Sequence, residues 1–126
     1  MMTPTTPPFR RRRRPTNSRL GPLTMMAVTD LSGGEDDLTF TAVFNTSASA
    51  PLTNIATADA LKWTARYNGS RFEGNTLTLL SPTSILVEMV VVEGEAGPNE
   101  VSYAADPSDI ADVLGRKLAA FAGFAL

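Results

Sequence analysis

Apolar and polar residues alternate with a period of two along most of the chain after Pro22. Leu38, Phe40, Ala42 and Phe44 share one parity, which predicts a strand over Leu38–Asn45 with one face in a core. Leu61, Trp63, Ala65 and Tyr67 alternate with Lys62, Thr64 and Arg66 and predict a second such strand. The Asn68-Gly69 pair that follows is a type I′ hairpin signal. Phe72 begins the return, interrupted at Gly74 and Asn75 and resumed at Leu77 and Leu79. Ser84 to Val92 is apolar on both parities at several positions, which predicts a central strand covered on both faces. Leu23–Leu31, Glu100–Ala104 and Leu118–Leu126 complete the set, and Asp106–Leu114 is expected to hold a short helical turn with Asp106 as N-cap. Ser47–Thr57 is polar and small and reads as a loop. Seven or eight short strands separated by turns in about a hundred residues predict an all-β fold, an antiparallel β-sandwich.

The first 22 residues break this pattern. They contain Pro4, Pro7, Pro8, Pro15 and Pro22, and proline fixes φ and removes a backbone donor. The expected organisation is therefore an extended arm over residues 1–22 and one β-domain over 23–126.

Charge sharpens the division. The arm carries Arg10, Arg11, Arg12, Arg13, Arg14 and Arg19 and no acidic residue, whereas the body carries five basic and thirteen acidic residues. A formal net charge of −2 thus joins an arm of +6 to a body of −8. Such a polarity suggests attachment, because a basic arm seeks carboxylates or phosphates that an acidic body does not. Arginine pairs bidentately with carboxylates, and only Phe9 stands beside the run to stack on a base. Docking on an acidic protein surface is therefore the first reading of the six arginines, with nucleic acid second and a solvated tail or localisation signal third.

Candidate chemistry is sparse. The chain has no cysteine and no histidine, which removes disulfides, thiolate metal sites, Ser-His-Asp and Cys-His catalysis and histidine general bases. Ser102, Lys62 and Lys117 have no partner pattern that would make a nucleophile. Glu35-Asp36-Asp37 and Asp106, Asp109 and Asp112 offer oxygens but lack the spacing of a calcium loop, and read as solvated turn residues. The expectation is a protein that is not an enzyme, with no catalytic residue, metal or cofactor. Trp63 and Tyr67 read as core aromatics, and Tyr103 as a tyrosine whose hydroxyl satisfies nearby backbone. Asn68-Gly69-Ser70 fits the N-glycosylation pattern but coincides with the hairpin turn. No apolar run reaches the length of a membrane span, and the segment Leu20–Val28, broken by Gly21, Pro22 and Thr24, does not read as a secretory signal.

The segment Gly97-Pro98-Asn99-Glu100-Val101-Ser102-Tyr103, with Ile110-Ala111-Asp112 and Gly115-Arg116-Lys117-Leu118-Ala119-Ala120-Phe121 after it, resembles the ending of bacterial Ig-like repeats of the SwmB type. There a Val-x-Tyr strand is followed by an Asp-x-x-Gly-Asn turn and a last strand with a buried aromatic. Leu38–Phe44 is similar to the family's first core strand, and Asn75-Thr76-Leu77 to its middle hairpin. The likeness covers about Leu23–Leu126, with Arg116 standing where the family has Asn. It implies an Ig-like sandwich, a scaffold that does not fix function.

A short Pro/Arg leader fused to one such sandwich looks like small structural proteins of tailed phages. That resemblance implies a virion protein made in the host cytoplasm, a capsid decoration or cement first and a tail or head–tail accessory second. Its partners would be the major capsid protein or other virion proteins, with a homo-oligomer on a symmetric lattice expected and no membrane. The rival is a bacterial cell-surface adhesion module, which predicts tandem repeats behind an export signal.

Overall fold

The computed structural model describes residues 21–105 and 109–126. Nine strands run in chain order: β1 Met25–Gly33, β2 Asp37–Phe44, β3 Leu52–Thr53, β4 Trp63–Tyr67, β5 Ser70–Ser81, β6 Ser84–Gly94, β7 Glu100–Tyr103, β8 Ala111–Asp112 and β9 Phe121–Ala125. Seven form one antiparallel sheet in the order β1-β2-β6-β5-β4-β7-β9, and β3 pairs with β8 apart from it. The fold is all-β, as the alternation predicts, and the order matches the two sheets of a constant-type immunoglobulin domain joined through their D and C strands.

The long β5–β6 hairpin is where the sheet turns over on itself. Ser70–Glu73 of β5 pairs with β4, whereas Ser84–Val90 of β6 pairs with β2, and a bulge interrupts β5 between Gly74 and Thr76. In a flat sheet β2 and β4, three strand spacings apart in the sheet order, would stand about 14 Å apart. Instead the rings of Phe40 on β2 and Trp63 on β4 are 6.4 Å apart. The two halves face each other across the core, and the interior rows fill it: Leu38, Phe40, Ala42 and Phe44 from β2, Ile85, Val87 and Met89 from β6, Trp63 from β4 and Tyr103 from β7. Trp63 packs at 5.1 Å from Tyr103 and 5.8 Å from Phe121.

Gly74 is required at the bulge. A Cβ there would collide with the backbone carbonyl of Ala60, which has no freedom to retreat. Gly74→Ala is expected to destabilise the fold by about 1 to 3 kcal/mol, read in thermal denaturation as a drop of about 4 to 8 °C per kcal/mol. At the β4–β5 turn Asn68 and Gly69 have φ of 49° and 81°, the paired left-handed conformation that the type I′ signal demands.

Four expectations give way, the first being the loop over Ser47–Thr57, which holds β3 and a 3-10 turn at Ile55–Thr57. Leu61, expected inward with Trp63, is 62% exposed, because Ala60–Lys62 forms a 3-10 turn and Asp59 accepts a hydrogen bond from the Leu61 amide at 2.9 Å. The turn rotates the side chain out before the strand begins. Ser84–Val92 is central in the sheet but covered on one face only: Ile85 and Val87 are fully buried, while Val90 and Val92 on the outer face are 44% and 41% exposed, since no second layer packs there among the described residues. The described part of the expected helical turn is instead β8, where Thr53 and Leu52 pair with Ala111 and Asp112. Asp106, the expected N-cap, lies outside the described residues.

Candidate partner-binding surface

Arg10, Arg11, Arg12, Arg13, Arg14 and Arg19 lie outside the described residues. The structure does describe the root from which they extend. Leu23, fully buried, forms a parallel bridge with Leu118, and its carbonyl accepts the Ala119 amide at 2.9 Å. Asn45, at the end of β2, accepts from the Thr24 amide at 2.7 Å and donates to the Pro22 carbonyl at 3.3 Å. The Asn45 carbonyl in turn accepts from Arg116 Nη2 at 3.0 Å.

Arg116 belongs to a buried ion pair. Its Nε donates to Asp112 Oδ2 at 2.7 Å, and Asp112 Oδ1 accepts the amides of Leu114 and Arg116 at 3.0 Å each. The two side chains are only 0% and 7% exposed for Asp112 and Arg116. Both charges are therefore matched by a partner and by directed hydrogen bonds, the condition under which a buried pair is tolerated. Through the Asn45 carbonyl, Arg116 clasps the root of the arm. Sequence reasoning missed this pairing; its one signal is the Asp112-x-x-Gly115-Arg116 spacing, in which Gly115, at φ 84°, closes the turn.

Carboxylates gather at the opposite end of the sheet. The β1–β2 turn, with Glu35, Asp36 and Asp37, meets the end of β6 through a hydrogen bond from the Val91 amide to the Asp36 carbonyl at 2.9 Å. Beside it runs a network on the outer face of β4, β5 and β7. Arg66 pairs with Glu95 at 2.7 Å and with Glu100 at 3.3 Å. Arg71 lies 3.7 Å from Glu73, 3.9 Å from Glu93 and 3.8 Å from Glu95. Four carboxylates thus face two guanidiniums, leaving a surplus of negative charge. The hydrogen bond from Arg66 to Glu95, aided by Glu100 and opposed by desolvation, holds the Arg66 guanidinium above its ordinary range. A raised basic pKa contributes at every pH below the free value, so this pair does not switch near neutrality.

Between root and ridge lies a groove of about 490 Å³ whose walls include Leu61, Thr64, Tyr103, Ala104, Phe121 and Ala122. The sequence reading does not reach it, because its outermost wall, Leu61, carries the parity of the core. Tyr103 also backs this region, its hydroxyl donating to Asp109 at 3.3 Å, while Asp109 pairs with Lys62 at 3.3 Å. Trp63 is fully buried and Tyr67 partly so, packed against the core cluster.

Among the described residues no three carboxylates converge on a point that could hold a metal. Asp109 and Asp112 are engaged by Lys62 and Arg116, and Asp106 lies outside the described residues. Nor does any described helix have the length and apolar character to cross a membrane. The arrangement is polar along the domain: the root of the arm at one end, surplus carboxylates at the other, and an apolar groove between. No family model, curated protein or solved structure matches this chain.

Proposed function

We propose that the chain is a non-enzymatic structural protein of a tailed-phage particle, an Ig-like sandwich of the SwmB type held to the particle by its basic arm. Arg10–Arg14 and Arg19 pair with carboxylates on neighbouring shell subunits, and the prolines keep the arm extended, which lowers the entropy lost on docking. Each exposed pair contributes little, about 0 to 1 kcal/mol. Many copies on a symmetric lattice make the attachment strong through avidity. Decoration or cementing of a capsid is the primary role, and a tail or head–tail accessory position the secondary one.

The observation that carries this reading is the separation of charge along the domain. The arm is rooted at the Leu23–Leu118 end, while the surplus of carboxylates lies at the other. The acidic face then points away from an acidic docking surface and the arm towards it. Replacing Arg10–Arg14 and Arg19 by serine in the full chain is expected to abolish co-sedimentation with purified virions. Wild-type attachment should weaken steeply as salt rises from about 0.05 to 0.5 M, where the screening length falls from over 10 Å to about 4 Å. Undiminished attachment of the serine variant would show that the arm is not the anchor. A cryo-EM map of the particle then identifies the partner.

A further inference from the structure

From Leu118 to the end of β9 the three features stand in a fixed order. Leu118 and Ala119 hold the root of the arm, Ala120–Ala122 line the apolar groove, and Ala125 pairs with Glu100 in the acidic ridge. The same order runs across β4 and β7, where Thr64 and Ser102 border both the groove and the pocket of the Arg66–Glu100 network. Groove and ridge are one continuous track on the outer face, apolar at the root end and acidic at the far end.

The arm has the complementary order. Met1–Phe9 carries no charged side chain and ends in Pro7-Pro8-Phe9, and Arg10–Arg14 follow directly. We infer that this track receives the arm of a second copy of the chain, with Phe9 in the groove and Arg10–Arg14 along the surplus carboxylates of the ridge. Five extended residues span about 17 Å, the length of a five-residue strand such as β4.

Chain direction selects a second copy over the same one. For Phe9 to reach the groove while Arg14 lies on the ridge, the arm must enter from the acidic end. The chain's own arm is rooted at the other end, beside the groove. A neighbour stacked with its root against this copy's acidic end delivers the arm in the required direction. The contact is head-to-tail, so it is heterologous and grows into a ring or an open file of copies. Charge agrees with this geometry, because two acidic bodies repel while the arm of one neutralises the ridge of the next. The inference rests on the arm being an anchor, as proposed above, and adds a second copy as one of its docking partners.

The test uses full-length chains in sedimentation velocity. Wild type is expected to form concentration-dependent oligomers at low salt and to shift to monomer at high salt. An arm variant, Arg10–Arg14 all to serine, and a track variant, L61E with A122E at exposed positions, should each be monomeric. Mixed, they should give a one-to-one dimer and nothing larger, since one supplies an intact track and the other an intact arm. Circular dichroism of each variant establishes that it is folded. A wild type that stays monomeric, a track variant that still assembles, or a mixture that yields no dimer would each overturn the inference. The anchoring reading is judged separately by virion co-sedimentation, which the arm variant loses whether or not copies associate with one another.

Discussion

Replacing Trp63 by alanine is expected to destabilise the domain by about 3 to 5 kcal/mol, the range found for large aromatics removed from tight cores. The side chain is fully buried and its ring bridges both halves of the folded-over sheet, reaching Phe40 on β2, Tyr103 on β7 and Phe121 on β9. Its removal leaves a cavity at the centre of the core. Because a domain of this size is stable by only about 5 to 15 kcal/mol, the variant should unfold at far lower urea. W63F is expected to cost less. It keeps an aromatic ring at the site and deletes the indole Nε1, a buried donor with no hydrogen-bond partner among the described residues. Equal losses for the two variants would show that ring packing is not what Trp63 supplies.

The second large effect is expected at Asp112. In D112A the Arg116 guanidinium stays in a nearly closed site without its counter-charge, and the amides of Leu114 and Arg116 lose their acceptor. Breaking one side of a buried pair costs about 3 to 5 kcal/mol, so urea denaturation should again show a large loss. Here the damage should also reach the arm root. Hydrogen exchange at the Thr24 amide, held by Asn45, should accelerate in D112A beyond the global change. A loss under about 1 kcal/mol would mean that water reaches the pair freely.

Much of the fold is legible in the sequence, for a simple reason. A strand with one face in a core must alternate, and the Leu38–Phe44 row does so except at Val43; its four inward members are all buried. The Asn68-Gly69 turn is equally direct, because few residue pairs tolerate two successive positive φ values. Legibility fails where period-two logic meets a local turn. Leu61 sits at the right parity but inside a 3-10 turn, and Ala111–Asp112 falls within the helical turn expected over Asp106–Leu114 while its backbone pairs with Leu52–Thr53. The groove was hidden for the same reason, since its exposed wall Leu61 carries the parity that alternation assigns to the core. The clasp was hidden because it depends on three segments that only the tertiary fold brings together: Pro22–Thr24, Asn45 and the Asp112–Arg116 turn. The arm's arginines, the strongest signal in the sequence, lie outside the described residues.

The placement of the arm's root has a mechanical consequence. Gly21 leaves at the Leu118 end, whereas the Leu126 amide is bound to the Asn99 carbonyl near the other. A pull on an anchored arm, opposed by drag on the body, therefore runs along the strands. The β1–β2 ladder from Met25 to Gly33 has its hydrogen bonds across that line, so they are loaded together in shear and cannot be unzipped one at a time. A domain tethered in this way withstands tension best in the direction in which its tether pulls.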